Sequence, residues 1–392
     1  MAKKKTWNQN EIKKENKQLI LTTVINKSPI SRAQIANHTG LNKATVSSLV
    51  SDLLNESLLF EAGLGASNGG RPPVMLYFNK IAGYAVGINL GVNFISGILT
   101  DLDGNIIIEK YISFLNLSYN KIINKIDDII DYLISNRPIS PYGIVGIGIG
   151  IPGIVTNSGI VHNAPNLEWK NKDLYTHLKN KYNIPIIIQN EANAGVYGEQ
   201  KHGVGKNKKN VIYVSIGVGI GIGIIINGNL LRGNNGFLGE SGHMTIDYNG
   251  LKCTCGSNGC WELYASEKYI YNNIDKYSLN IPSNTDDILS ILIRLATKNE
   301  KDALEIFNVI GDNIGVGVNN IINTFDPSMI IIGNKISTAK EWIKPALFNR
   351  VKKSEWIQER NLDIKFSNLD YYSPALGMSS FVIDNFLNIK SI

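Results

Sequence analysis

Cysteine is scarce in this 392-residue chain, and all three residues, Cys253, Cys255 and Cys260, fall within eight positions. So few thiols exclude a disulfide framework for a chain of this length. No continuous apolar run is long enough to span a membrane. The start, MAKKKTWNQNEIKKEN, has basic residues but no apolar stretch behind them, which argues against a secretory signal. The expected compartment is therefore the cytoplasm, where thiols stay reduced. No C-x-x-C pair occurs, which disfavours redox use of the cluster.

What is present is an ordinary apolar fraction and enough length for two or three domains. Residues 1–80 hold eleven Lys plus Arg against five Asp plus Glu. That surplus of six equals the net charge of the whole chain, so the remainder is neutral. A basic head on a neutral body is the footprint of nucleic-acid contact, although a solvated Lys-rich tail has the same charge.

Local patterns favour the first reading. A helix is expected from about Glu11 to Asn26, ending before Ser28-Pro29. Ser31 is a candidate N-cap for SRAQIANHT, with Ala33, Ile35 and Ala36 as its apolar positions. Gly40 supplies a turn. Asn42 is a second candidate N-cap, before a helix whose apolar face is Val46, Leu49, Val50, Leu53 and Leu54. Two short helices about a Gly-containing turn make a helix-turn-helix. The DNA candidates are Ser31, Arg32, Asn42, Lys43, Thr45, Ser47 and Ser48, at the N-terminal ends that meet base edges and phosphates. The run EAGLGASNGGRPPVMLYF reads as two strands around a Gly-rich tip, a wing that carries Arg71 towards the backbone or minor groove. A small helical domain with no DNA role is the bland alternative.

From Ile81 the texture becomes α/β. Strands are expected at Tyr84 to Leu90, Phe94 to Thr100 and Ile106 to Phe114, with Asp101–Gly104 as a hairpin turn. A helix follows near Lys121 to Ser135. IVGIGIGIPGIV is a buried strand, and PIIIQNEANAGVYGE a strand running into a helix. VIYVSIGVGIGIGIIINGNLL repeats the opening hairpin, and NTFDPSMIIIGNKIS is a turn, a strand and a Gly-containing loop. Two halves of similar pattern imply a duplicated α/β body with a cleft between lobes.

Five motifs then stand in order: NAPNLEW at 163–169, NEANAGVYGE at 190–199, GVGIGIGIIINGNLLRG at 217–233, GESGH at 239–243 and CTCGSNGC at 253–260. Together they resemble the ROK family of repressors and sugar kinases, whose body is actin-like and ribonuclease H-like. The winged head adds the repressor branch, and the NEANA form is similar to that of the xylose repressors of low-GC Gram-positive bacteria. The implied organisation is a winged helix-turn-helix over 1–80, a first lobe over 81–194 completed by a C-terminal helix near 375–392, and a second lobe over 195–374.

The resemblance implies a sugar pocket lined by Asn166, Asn190, Glu191, Glu240, His243 and Glu262, with Asn163 and Gly153 nearby. Each residue also has a plainer reading: loop residues around Pro165 for the asparagines, a helix-start acid for Glu191, a solvated charge for Glu240. The same resemblance argues against catalysis. The family's first phosphate loop has the form D-x-G-G-T, but here Asn89-Leu-Gly91-Val92-Asn93 lacks the acid and the second Gly-Thr. The second loop reads L-G-T-G-x-G-x-G, but here Val218 replaces the hydroxyl. The family's catalytic aspartate in N-D-A-N is Glu191 here. No catalytic residue is expected.

Tetrahedral zinc takes four N or S ligands. Cys253, Cys255 and Cys260 offer three, and His243 or Asp247 the fourth; free buried thiols are the alternative. Zn2+ so held would be structural. The implied partners are operator DNA, a sugar inducer (xylose) and a second copy of the chain in a dimer or higher oligomer, with no membrane. Three readings stay open: a sugar-responsive repressor for xylose or another sugar such as glucose, a ROK-type sugar kinase with a DNA-binding head, and a non-sugar adaptor.

Overall fold

The computed structural model describes residues 8–389 apart from 65–71, 157–158, 235, 280, 282–284, 286 and 361. Three helices open the chain: α1 (Gln9–Lys27), α2 (Arg32–Thr39) and α3 (Lys43–Asn55). Their starts follow from local chemistry. The Ser31 hydroxyl accepts from the Gln34 N–H while the Gln34 side chain reaches back to the Ser31 N–H, a reciprocal capping box. Asn42 Oδ1 accepts from the Thr45 N–H at 2.8 Å. Gly40 adopts φ +72°, the left-handed conformation that ends α2 and turns the chain into α3. Ile20, Leu21, Val24, Ile35, Val46, Leu49, Val50 and Leu53 are buried between the helices, each contributing about 2 kcal/mol of apolar burial. Ala33 does not join them. It is exposed, because an eight-residue helix turns only Ile35 and Ala36 inward.

The strands Leu59–Leu64 and Val74–Phe78 pair antiparallel, and Ile30–Ser31 adds a third strand. The head is therefore three helices with a small winged sheet.

The body holds two five-stranded sheets built on one plan. In the first, Tyr84–Leu90, Phe94–Asp101 and Ile106–Ser113 form an antiparallel meander, and Tyr84–Leu90 continues in parallel to Ile144–Ile151 and then Ile186–Asn190. In the second, Val211–Ile216, Ile220–Ile226 and Asn229–Leu230 form the meander, and Val211–Ile216 continues in parallel to Met329–Gly333 and Asp363–Phe366. The inner parallel strands Ile144–Ile151 and Met329–Gly333 are near-continuous apolar runs, as burial on both faces requires. Helix Tyr119–Ser135 covers the first sheet; helices Lys301–Phe325 and Lys340–Lys352 pack in the core of the second.

Two further helices bind the halves together. Helix Glu191–His202 and helix Ser373–Phe386 cross so closely that a Cβ on Gly198 would lie 2.1 Å from the Ser373 carbonyl oxygen, and one on Gly377 1.8 Å from that of Ala194. Only glycine permits this approach at these two positions. No helix among the described residues is long and apolar enough to cross a membrane.

Candidate functional site

The parallel strands of both sheets end at one cleft, the usual place for ligands in α/β folds. Counting its open mouth, the cleft has a volume of about 780 Å³. Asn166, Asn190, Glu191, Glu240, His243 and Glu262 all line it, and so does Gly153; Asn163 does not.

Strand Ile186–Asn190 runs directly into helix Glu191–His202, and Asn190 makes the join. Its Oδ1 accepts from the N–H groups of Ala192 (2.9 Å) and Asn193 (3.1 Å), and its Nδ2 donates to the Gly153 carbonyl at 2.8 Å. Glu191 follows as the first helical residue. Ser215 Oγ donates to its Oε1 (3.2 Å) and Asn334 Nδ2 to its Oε2 (3.3 Å). Burial pushes the Glu191 carboxyl up to about 7, outweighing these two bonds, and the nearby charge of Glu240 adds to the rise.

Ser215 and Asn334 were absent from the sequence-predicted set. Asn334 was findable in principle: it follows Gly333 at the C-terminal end of a parallel strand, where ligand loops gather.

Asn166 sits on a single turn, Pro165–Leu167, between the paired strands Val161–Ala164 and Trp169–Lys172. Asn166 Nδ2 and Glu262 Oε2 approach Gly219 from two sides, 2.7 and 3.0 Å from where a Cβ there would be. Lys268 ion-pairs with Glu262 through Oε1, leaving Oε2 towards the cleft. Glu240 is half-buried at the cleft; burial raises its pKa, opposed by His243 and reinforced by Glu262.

His243 joins the cleft to the thiols. Its Nδ1 lies 3.7 Å from Cys253 Sγ, and its Nε2 lies 4.0 Å from Glu240 Oε2. The ligand atoms of His243, Cys253, Cys255 and Cys260 all lie within 4.8 Å of one another, a group that could hold a metal ion. Asp247 is not in the group; its Oδ1 accepts from the Asn249 N–H. The donor set suits a tetrahedral cation. Burial and the neighbouring thiols push Cys260 up to about 12, whereas the Ser257 N–H lowers Cys255. Three thiolates this close are unfavourable without a cation between them.

The positions expected to hold phosphates are altered in space as in sequence. Asn89 is fully buried and donates to the Tyr371 carbonyl at 3.0 Å. Val92 and Val218 both line the cleft.

Of the DNA candidates, Asn42, Lys43, Ser47 and Ser48 are exposed at the start of α3, and Thr45 is half-buried beside them. Arg32 pairs with Glu61 of the wing at 2.6 Å. Ser31 is a correction: it is 4% exposed, and its hydroxyl is engaged in the capping box, so it offers no side chain to a duplex. Arg71 lies outside the described residues.

Comparison with known proteins adds to this geometry. Residues 85–385 match the model of the ROK family. The chain is 45% identical over 379 residues to the xylose repressor of Bacillus subtilis (strain 168), covering 96% of this chain and 97% of that protein. It is 38% identical over 388 residues to the xylose repressor of Caldicellulosiruptor bescii, with the same coverage. A ROK family transcriptional regulator, a homologue of the E. coli Mlc protein, superposes with TM-score 0.77 at 24% identity, over 97% of this chain and 99% of that one. A ROK family glucokinase from Streptomyces griseus, solved with glucose and AMPPNP, superposes with TM-score 0.67 at 24% identity, over 76% and 98%. At that identity these two likenesses speak for the fold.

Proposed function

The chain belongs to the ROK family, and from that premise we propose that it is a sugar-responsive, DNA-binding transcriptional repressor of xylose-utilisation genes, released from its operator by xylose. The observation that carries this is the 45% identity to a xylose repressor over 96% of the chain, which spans head and cleft together. The chain divides into a DNA-binding head (1–80), a first lobe (81–194) closed by the C-terminal helix, and a second lobe (195–374).

In this reading Asn166, Asn190, Glu191, Glu240, His243 and Glu262 bind the sugar. Carboxylates and amides pair with adjacent hydroxyls, and a buried acceptor left unmatched is costly, which gives selectivity. The role is sensing, not catalysis. Both Glu191 oxygens accept hydrogen bonds from the second lobe, so this carboxyl serves as a fixed acceptor. Zn2+ would be held by His243, Cys253, Cys255 and Cys260. It would supply structural cross-linking and fix the His243 tautomer, with Nδ1 towards the thiols and Nε2 towards Glu240 and the cleft.

A packed path supports coupling between cleft and head. Helix Glu191–His202 begins at the sugar end and is tied along its length to helix Ser373–Phe386. Ser373 Oγ donates to buried Glu199 at 2.7 Å, His202 meets Ser380 at 2.8 Å, and Lys201 pairs with Asp384 at 3.1 Å. At the far end of Ser373–Phe386, Val382, Ile383 and the C-cap Leu387 join an apolar cluster that runs from the helices of the head to Ala85, Leu102 and Val145 of the first lobe. Phe386 packs edge-on against Tyr142, whose hydroxyl donates to the Glu56 carbonyl at the C-cap of α3. Lobe movement on sugar binding would therefore shift α3, and two heads in a dimer would lose the spacing that a palindromic operator demands.

A mobility-shift assay with DNA upstream of xylose-utilisation genes and a panel of sugars tests this. The proposal requires a shifted band that xylose dissolves. Absence of any shift, or release by no sugar, overturns it.

A further inference from the structure

The cleft has a second end that the sugar reading leaves without a role. It lies between the Gly-containing loop Gly91–Asn93 of the first lobe and the loop Gly217–Gly219 of the second, with Asn334 behind. The glucokinase of the same fold was solved with both glucose and AMPPNP. Here a buried acid stands at that end.

Glu267 has no exposed surface, and neither of its carboxylate oxygens has a hydrogen bond of full geometry among the described residues. It is stitched to the second loop: its N–H donates to the Gly217 carbonyl at 2.9 Å, and the adjacent Ser266 hydroxyl donates to the Val218 carbonyl at 2.9 Å. Its Oε1 lies 3.9 Å from where a Cβ on Gly217 would be, on the side that Asn334 also faces. From the first loop the Asn93 amide approaches it and also meets the Tyr271 hydroxyl at 3.5 Å. The nearby cation, Lys335, is itself buried and pairs with Asp287 at 3.2 Å while lying over the Phe94 ring. Lys335 is thus shared between two acids and does not convert the region into an anion site.

A carboxyl buried against the loop Gly217–Gly219 and approached by Asn93 of the other loop has a defined effect. It fills the space physically. It also sets a negative charge, or a proton that must stay bound, where a phosphate would need donors. Burial raises the Glu267 pKa, opposed by Lys335, reinforced by Asp287 and opposed by the Asn93 amide.

We propose that Glu267 determines the ligand class of the cleft: it closes the end between Gly91–Asn93 and Gly217–Gly219 to nucleoside triphosphates, leaving a receptor for uncharged sugar alone. The inference rests on the proposed sugar end but concerns a different set of atoms, and no sugar contact is assigned to Glu267.

Calorimetric titration of the full chain with MgATP, magnesium tripolyphosphate and xylose tests it in the wild type, Glu267→Gln and Glu267→Gly. The wild type should show no MgATP heat at millimolar concentration. Glu267→Gly should gain MgATP and tripolyphosphate binding by at least tenfold, and Glu267→Gln, which keeps shape and removes charge, should gain a smaller part. All three should bind xylose with unchanged affinity, which also reports that the variants fold. MgATP binding as strong in the wild type as in Glu267→Gly overturns the proposal. So does a Glu267→Gly chain that binds xylose normally and gains no phosphate ligand, since the loops would then be closed without Glu267. If the wild type binds no xylose, the sugar reading falls, while the gain of phosphate binding still decides the role of Glu267. A gain confined to MgATP and absent for tripolyphosphate would mean that the base, not the phosphate chain, was excluded, and would also overturn it.

Discussion

The two ends of the cleft are built from the same fold and by opposite means. At the sugar end, carboxylates and amides from both lobes converge with their acceptors held in place: Asn190 by a helix start and Gly153, Glu191 by Ser215 and Asn334, Glu262 by Lys268, His243 by the thiol cluster. At the other end the lining is Val92, Phe94 and Val218. Phe94, Tyr111 and Tyr371 pack together, with Tyr372 against Tyr371. Asn89 is tied to the Tyr371 carbonyl, Lys335 is buried over the Phe94 ring, and Glu267 is buried against Gly217. On the proposed reading, the difference teaches that a two-lobed sugar-kinase fold would keep its recognition of hydroxyls while losing the geometry for phosphates.

The largest break in that contrast should come from the thiols. Cys260→Ser removes a buried donor from the candidate metal group and would free His243. Xylose affinity should fall at least ~100-fold, together with loss of zinc by metal analysis; a zinc-free variant that binds xylose normally would separate the cluster from the pocket. Next, Glu191→Gln should weaken xylose by about 10–100-fold, the value of one charge-assisted hydrogen bond, read by calorimetry.

The same variant has a pH signature. Glu191 has a folded pKa of about 7, above the ordinary carboxylate value. The folded chain therefore holds a proton that the unfolded chain has released, and this contribution to stability is lost as pH rises from about 4.5 through 7. Denaturation at several pH values should show the wild-type-minus-Gln difference drifting in that sense; a flat difference contradicts the assigned burial.

Smaller effects should follow at the helix pair and the head. Gly198→Ala forces a Cβ into the Ser373 carbonyl, costing about 1–3 kcal/mol and reducing the sugar response of operator binding more than xylose affinity itself. Tyr142→Phe removes one hydroxyl bond to Glu56, worth about 1 kcal/mol. Thermal melts and operator titrations should show a slight loss of stability and a shallower response to xylose.

Much of this was legible in sequence wherever the cause is local. Ser31, Gly40 and Asn42 mark the ends of α2 and α3 because caps and left-handed turns act within a few residues. The strands of the first meander read almost to the residue from apolar runs and the Asp101–Gly104 turn. The six pocket residues were reached through the family resemblance. What stayed hidden is non-local. Asn334 bonds Glu191 across 143 positions. Glu267 looks like an ordinary acid in the first turn of a helix capped by Ser266, which is its local role, and nothing local shows that the helix start is buried against Gly217. Ser31 was misread for a complementary reason: a capping hydroxyl and a DNA-facing hydroxyl have the same sequence signature, and only burial tells them apart.

The central claim is that sugar and operator oppose each other through one chain, and linkage makes it measurable from either side. Xylose should be titrated into the free protein and into the protein saturated with operator DNA at one salt concentration. The account predicts that operator weakens xylose binding by the same factor by which xylose weakens operator binding. Equal xylose affinities in the two titrations would contradict it.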